Sequence, residues 1–327
     1  MSSAEGLCRD GTPGRSERNP RKLLRLLLVT RNLRTALHAW RLGIPWLHLE
    51  RYGKKVVLRG TNIPCEELPS PLPHGLSFQA GFLAPFEFDF QVISDHGRKV
   101  ILLDTGEVKL WLDGADVTFI AQEVFGNQEY GVTSSNESIV IDIGMNVATT
   151  ALFFAKEPAV KKVIAFEPSS QAIERAKRNF ALNPLIAKKI EVRPYALGDA
   201  NGKAYLEVIP ERSTVSKILP DSSSPTKQEN QVLVEIRDAE AELQALVGEV
   251  EEHQQIILKV DCEGSEREIF RRLSADTISR IDVILLEWHS ADIMREIRQT
   301  LEKLPFYVLV QRREKNIGML YAFRRGR

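Results

Sequence analysis

Two short stretches concentrate the residues able to do chemistry. One is Leu258-Lys-Val-Asp-Cys-Glu-Gly-Ser-Glu266; the other is Val283-Ile-Leu-Leu-Glu-Trp-His289. Each opens as an apolar run that reads as a buried strand and places ionisable groups near its carboxyl end, where open α/β sheets bind ligands. Strand alternation puts Lys259 and Asp261 on one side. Glu287 and His289 bring a carboxylate and an imidazole to the same rim. This constellation suits proton transfer: His289 or Asp261 accepts the proton of a hydroxyl, and Lys259 orients a neighbouring carboxylate. Asp261, Glu263, Glu287 and His289 also offer hard oxygen ligands and an imidazole, fit for Mg²⁺ or Mn²⁺ assisting a group transfer or a hydrolysis. No metal is assigned to them. Taken alone, His289 reads as a satisfied structural histidine; in this company an acid/base role stands level with that reading. Ser265 followed by Glu268 fits a capping box, which assigns Glu266 and Glu268 to helix stability.

A second constellation lies in Ser138 to Asn183. The run Ile139-Val-Ile-Asp-Ile143 reads as a buried strand entering a tight turn at Gly144, and Val163 to Phe166 reads as the next strand, capped by Glu167. Glycine at 144 permits a sharp turn and close backbone approach to a ligand. Glu167 follows Asp142 by 25 residues, the spacing at which an acid accepts hydrogen bonds from both ribose hydroxyls. A phosphate-binding fingerprint needs G-x-G-x-x-G, whereas the three positions here are Gly144, Asn146 and Thr149. A dinucleotide, and hydride transfer with it, is therefore disfavoured. Asp142 beside the turn suits a cation or an ammonium group. S-adenosylmethionine has that profile: a sulfonium, an amino acid moiety and a ribose. The competing reading is ordinary, since D-x-G occurs in many α/β turns and Glu167-Pro-Ser-Ser also reads as a helix start.

Elements that could position these groups alternate along the chain. Strands are expected at Ile139–Ile143, Val163–Phe166, Ile190–Pro194, Ile256–Asp261 and Val283–Glu287, and helices at Thr149–Lys156, Ser170–Leu182, Ser265–Leu273 and Asp292–Leu304. A closing pair, Tyr307–Val310 and Gly318–Phe323, suggests an antiparallel hairpin at the sheet edge. Repeated βα units imply an α/β fold with a mostly parallel sheet covered by helices on both faces. Lys203–Ile209 and Gln231–Arg237 read as added strands, with the Pro/Ser-rich stretch Pro210–Asn230 between them as a loop.

Before Ser138 the chain changes character. Residues 1–20 are polar and predict a disordered tail. Residues 21–60 predict a basic amphipathic helical arm; Leu23, Leu26, Leu33, Leu37 and Trp40 share one face, away from Arg31, Arg34 and His38. Such a face would pack within the protein or on a partner subunit, or lie on an anionic membrane surface. Residues 61–75 form a Pro-rich linker, 76–130 a β-rich lead-in, and 131–327 the ligand-binding domain. Through Gly60 there are 13 Lys/Arg against 4 Asp/Glu, and 31 against 40 thereafter. The acidic body argues against nucleic acid as its main partner. Three dispersed cysteines, Cys8, Cys65 and Cys262, make neither a disulfide framework nor a C-x-x-C metal pair, so a reducing cytoplasm is expected. No apolar run reaches membrane-spanning length, and residues 1–20 lack the apolar region of a signal peptide.

In order and spacing, several motifs resemble the FkbM family of S-adenosylmethionine-dependent methyltransferases. They are Asp142-Ile-Gly-Met-Asn, Phe166-Glu-Pro, Arg178-Asn-Phe with Asn183, Ala196-Leu-Gly-Asp199, Leu258 to Glu266 and Glu287-Trp-His289. Phe125-Gly-Asn-Gln-Glu-Tyr130 resembles that family's upstream segment. The resemblance covers roughly Val124 to Phe323, and Lys259 to Glu266 is its most specific block. It implies a class I methyltransferase (Rossmann-like) fold, S-adenosylmethionine as cofactor, and methyl transfer to the hydroxyl of a small molecule such as a sugar or secondary metabolite. It further implies that Asp142, Gly144 and Asn146 shape the cofactor turn and that Glu167 binds ribose. Tyr195 or Ala196 would border the adenine, and Asp261 would sit beside the methionine end or the acceptor. The family usually carries a second glycine where this chain has Ala148. A non-catalytic cofactor-binding or scaffold protein is the rival reading.

Overall fold

Strand after strand in the second half of the chain is apolar on both sides, and a strand buried on both faces belongs inside a sheet covered by helices. We label these strands β1 (Ser138–Ile143), β2 (Val160–Phe166), β3 (Ile190–Arg193), β4 (Gln255–Val260), β5 (Val283–Trp288), β6 (Phe306–Arg312) and β7 (Gly318–Arg324). In the computed structural model they form one seven-stranded sheet in the order β3-β2-β1-β4-β5-β7-β6. The first five are mutually parallel, whereas β7 runs antiparallel to both β5 and β6. This is the class I methyltransferase, Rossmann-like architecture, with the expected antiparallel hairpin at its end. Chain order reverses between β1 and β4, and an open sheet leaves its ligand crevice at that switch, beyond the strands' carboxyl ends.

The structure describes residues 49–52, 55–58, 88–95, 98–132, 136–209, 212–219, 231–313 and 316–326, together with positions 25, 27, 28, 31, 36 and 37. The expected tail 1–20, the linker 61–75 and most of the arm 21–60 lie outside these residues, as does the apolar face assigned to the arm apart from Leu37; the end of the arm, read as helical, instead holds two antiparallel strands, Leu49–Tyr52 and Lys55–Leu58. By internal contacts the chain divides into two compact units, Met1–Gln128 and Glu129–Arg327.

In the second unit, helices α1 (Thr149–Ala155), α2 (Ser170–Leu182), α3 (Ala239–Glu249), α4 (Glu266–Arg272) and α5 (Ala291–Glu302) flank the sheet. All six residues of β1 are buried, as are all seven of α1. One face of the sheet carries the main core: Ile139, Ile141, Leu258, Ile284 and Leu286 pack with Leu243 and Leu246 of α3, Ile269 of α4, and Ile297 and Leu301 of α5. Each such side chain contributes roughly 2 kcal/mol. On the opposite face Val140, Val163, Ala165, Ile257 and Leu285 are buried as well. Helix α2 starts where Ser169 accepts a hydrogen bond from the Ala172 amide at 3.2 Å, a local side-chain cap.

Three more expectations need correction. The stretch Pro210–Asn230, read as a loop, contains a strand at Arg212–Leu219 that pairs antiparallel with Gly202–Ile209. Its Thr214, Val215 and Ile218 are β-branched, and Pro and Ser to either side hid that signal. With Gln231–Asp238 and Ala196–Gly198 it completes a separate four-stranded sheet. Second, α3 and a short helix Ala275–Arg280 were not foreseen. Third, the β-rich lead-in does hold a three-stranded antiparallel sheet, Asp89–Asp95, Arg98–Asp104 and Lys109–Leu112, but it ends in a helix, Ala115–Ala121, and a π-helical turn, Gln122–Gly126. Among the described residues, no helix is long and apolar enough to cross a membrane.

Candidate functional site

The turn after β1 is fixed from every side. Gly144 has φ +85°, and a Cβ on it would lie 1.8 Å from the carbonyl oxygen of Asp261 at the end of β4. Only glycine lets these two chain segments approach so closely. Asn146 and Ala148 also take positive φ, +53° and +68°. The Gly144 and Met145 amides both donate to the Phe166 carbonyl at 3.0 Å, and the Asn146 amide donates to Glu167 Oε2 at 2.8 Å. From α2, Asn179 Nδ2 donates to the Val147 carbonyl at 2.9 Å, and Asn183 Nδ2 donates to the Asn179 carbonyl at 2.7 Å. Those two asparagines account for the Arg178-Asn-Phe and Asn183 motif, since both are buried and together clamp the turn. Ala148 sits fully buried in a left-handed conformation that costs an L-residue ~1 kcal/mol. The conformation a glycine would take is thus kept despite the methyl group.

Beneath the turn lies a buried ion pair. Lys259, 1% exposed, places Nζ 2.9 Å from Asp142 Oδ1, 2.6 Å from the Gly144 carbonyl and 3.5 Å from the Ile143 carbonyl. The two carbonyls accept hydrogen bonds from the ammonium, and Asp142 pairs with it as an ion. Burial pulls the Lys259 pKa down, but Asp142 and Asp261 carry it above its usual value, and we take the pair as ammonium and carboxylate. Burial pushes Asp142 up, with Lys259 offsetting part of the shift. Asp261 Oδ2 lies 3.9 Å from the same ammonium. Lys259 therefore bridges the first turn and the end of β4. Among the described residues, no protein donor reaches the buried Asp142 Oδ2, Asn146 Oδ1 or Thr149 Oγ1.

Glu167 stands at the end of β2, 8% exposed, and is held by two backbone amides: Asn146 at Oε2 and Ser169 at Oε1, each 2.8 Å. Burial raises its pKa to about 7 against those two hydrogen bonds. The Arg193 carbonyl accepts from both the Glu167 and the Tyr195 amides, at 3.1 and 2.9 Å, so Tyr195 lies beside the acid through its backbone. Its ring turns into the core, edge-on to Phe166 at 5.6 Å and under the Arg237 guanidinium at 3.8 Å. Its hydroxyl donates to Glu242 at 2.9 Å. Ala196 is buried and paired in register with Ile236.

At the ends of β4 and β5 the structure gathers Asp261, Glu263 and His289. His289 Nε2 lies 3.8 Å from Asp261 Oδ1 and 3.6 Å from Glu263 Oε2, and Nδ1 lies 3.0 Å from Glu266 Oε1. Burial alone would lower the imidazole's pKa, but the hydrogen bond to Glu266 and the charges of Asp261, Glu266 and Glu263 raise it to about 10. This corner favours a positive charge. The capping-box assignment of Glu266 is corrected here. Ser265 makes no side-chain cap bond, and Glu266 is fully buried, accepting from the Gly264 and Cys262 amides at 3.0 and 3.4 Å as well as facing His289. Positive φ at Glu263 and Gly264 folds the loop back over that carboxylate. Glu287, counted in the sequence with these ligands, faces elsewhere. Tyr130 donates to its Oε2 at 3.0 Å, and Arg313 Nη1 reaches Oε1 at 3.1 Å; Arg313 also pairs with Glu129. Tyr130 lies in the upstream segment noted in the sequence, but nothing local tied it or Arg313 to Glu287, which is distant along the chain. Half-buried Cys262 has its thiol pushed well above the usual range by burial and neighbouring carboxylates, which favours the protonated form.

With that geometry established, comparison with known proteins identifies the chain. Residues 142–307, just over half of it, match the family described as the Methyltransferase FkbM domain. "Methyltransferase 1" of Beauveria bassiana (strain ARSEF 2860) is 24% identical over 210 residues, spanning 60% of this chain and 84% of its own length. "Methyltransferase sdnD" of Sordaria araneosa is 22% identical over 222 residues, spanning 61% and 85%. The crystal structure of Methyltransferase FkbM from Methylobacillus flagellatus KT aligns with a TM-score of 0.40 at 14% identity. That alignment covers 62% of this chain and 48% of the other, about half its length. Starting at the Asp142 turn and running through the rim of β4 and β5 into the final hairpin, the matched segment contains the whole candidate site, and the chain belongs to the FkbM methyltransferase family.

Proposed function

We propose that this methyltransferase takes its methyl group from S-adenosylmethionine and transfers it to a hydroxyl oxygen of a small molecule, of the sugar or secondary-metabolite type. The observation carrying this reading is Glu167, a carboxylate locked by two amides against the Gly144 turn at the sheet's switch point. Each of its oxygens keeps a further lone pair for a ribose hydroxyl. The buried acceptors Asp142 Oδ2, Asn146 Oδ1 and Thr149 Oγ1 suit the hydroxyl and ammonium donors of a nucleoside joined to an amino acid. When bound, S-adenosylmethionine supplies a methyl group made electrophilic by its sulfonium. The chain's own residues do the rest. Glu167 and the clamped turn fix the donor's position, and alignment supplies much of the rate. Asp261, partly exposed at the rim, takes the hydroxyl proton as the acceptor oxygen is methylated, and His289, 3.8 Å away, steadies it.

Two measurements test the donor. Mass spectrometry of the purified protein should find S-adenosylhomocysteine, or calorimetry should show it binding; an absence of binding would overturn the reading in favour of a scaffold. The raised pKa of Glu167 adds a pH signature. Ribose hydroxyls donate to the ionised form, so affinity for S-adenosylhomocysteine should grow as pH rises through about 7. Linkage gives roughly tenfold tighter binding at pH 8 than at pH 6. Glu167→Gln should bind roughly 100-fold more weakly, through loss of charge-assisted hydrogen bonds, and its profile should be flat. A wild-type profile without this slope would remove Glu167 from the ribose role.

A further inference from the structure

At the rim Asp261, Glu263 and His289 each offer one ligand-type atom, and the three atoms lie within 4.8 Å of one another. Their spacing is informative. A hydrogen-bonded imidazole would draw a carboxylate oxygen to about 2.8 Å. Here Nε2 stands 3.6 and 3.8 Å from two such oxygens and, among the described residues, makes no hydrogen bond to either. An ion bonded at about 2.1 Å to each ligand sets neighbouring ligand atoms about 3 Å apart at right angles and about 4.2 Å apart across the ion. The two separations from Nε2, 3.6 and 3.8 Å, fall between those limits, so small side-chain rotations would bring both oxygens and the imidazole onto one ion.

The surroundings are also those of a metal ligand set. Glu266, fully buried, receives the Gly264 and Cys262 amides on the same oxygen that faces His289 Nδ1. A carboxylate so loaded with donors is itself an acceptor, which makes Nδ1 the donor and aims Nε2 at Asp261 and Glu263; without a cation Nε2 carries a proton between the two acids, and a cation would take that proton's place. Metal-bound histidines are oriented by this carboxylate–imidazole arrangement. Asp261 divides its oxygens in the same sense: Oδ1 faces the imidazole and is the ligand atom, and Oδ2, on the side of Lys259, is the one left to take the hydroxyl proton.

We propose that Asp261, Glu263 and His289 form a site for one hard divalent cation of the Mg²⁺/Mn²⁺ class, whose open positions hold the methyl acceptor through two adjacent oxygens. Two carboxylates and an imidazole whose Nε2 proton the cation displaces match such an ion in charge and hardness, and three protein ligands leave three positions of an octahedron. Acceptors with neighbouring hydroxyls, or a hydroxyl beside a carboxylate, are the class that fills two of them. This assignment rests on the donor reading above, since the cation would serve the same methyl transfer, but it is tested separately.

The test is a Mn²⁺ titration of the full chain without methyl donor, followed by electron paramagnetic resonance. Expected is loss of the free-ion signal to one site per chain, with Glu263→Gln and His289→Gln each weakening that site at least about tenfold. Calorimetry with S-adenosylhomocysteine in the presence of a chelator then reports the donor site alone, and its retention in both variants shows that they fold. Wild-type protein that leaves Mn²⁺ free, or variants that bind it as wild type does, would overturn the cation site. If donor binding fails while the Mn²⁺ site is present, the donor reading falls and the metal assignment stands.

Discussion

Gly144→Ala is expected to destabilise the protein by about 3 kcal/mol or more and to remove donor binding. Two costs add: an alanine at φ +85° occupies left-handed space, at ~1–2 kcal/mol, and its methyl must displace backbone rather than a mobile side chain. The Asp261 carbonyl oxygen lies 1.8 Å from the new Cβ and its carbonyl carbon 2.8 Å. Relief would separate the ends of β1 and β4, stretching the 3.0 Å bond from the Asp261 amide to the Ile143 carbonyl. Urea denaturation and calorimetry with S-adenosylhomocysteine measure the two effects. A loss of stability under about 1 kcal/mol would mean that the approach of the two segments is looser than described.

Lys259→Met is the second large effect. It leaves Asp142 buried without its ammonium and takes the 2.6 Å donor from the Gly144 carbonyl. Breaking a buried pair in this way costs about 3–5 kcal/mol. Protonation sets a bound, because holding the acid neutral at pH 7, against an ordinary value of 3.8, costs on the order of 4 kcal/mol. The sign follows. In the variant the folded-state pKa of Asp142 is raised, so stability falls as pH climbs above about 4, and the deficit against wild type shrinks in acid. Adding Asp142→Leu should recover much of the loss, since a hydrophobic pair often replaces a buried ion pair without penalty. If the single variant matches wild type in denaturation at pH 7, Lys259 does not hold the turn.

How much of this was legible depended on distance along the chain. The five parallel strands were readable because two-sided burial writes continuous runs such as Ile139-Val-Ile and Ile256-Ile-Leu, and Ser170–Leu182 was placed to the residue. Helix α3 was missed because it follows its strand with no glycine or proline between them. Asp238 ends Gln231–Asp238 and caps the helix at once, accepting the Ala241 amide at 2.9 Å. At the site, Asp142, Gly144 and Glu167 could be read because the turn chemistry is local and each lies at a strand end. Glu266 could not. Its position favoured a helix-start acid, and only the backward fold of Glu263-Gly264 turns it to His289. The partners of Glu287 come from positions 130 and 313, a juxtaposition made by the sheet order alone.

Close backbone contact between Gly144 and Asp261, with Lys259 bonded across both segments, has a consequence for how this enzyme can diversify. The donor turn and the acid at the rim are mechanically one piece, so neither can drift to suit a new substrate without disturbing the other. New acceptors must therefore be accommodated by segments that do not brace this joint, and a directed-evolution library aimed at specificity should spare Asp142, Gly144, Lys259 and Asp261 entirely.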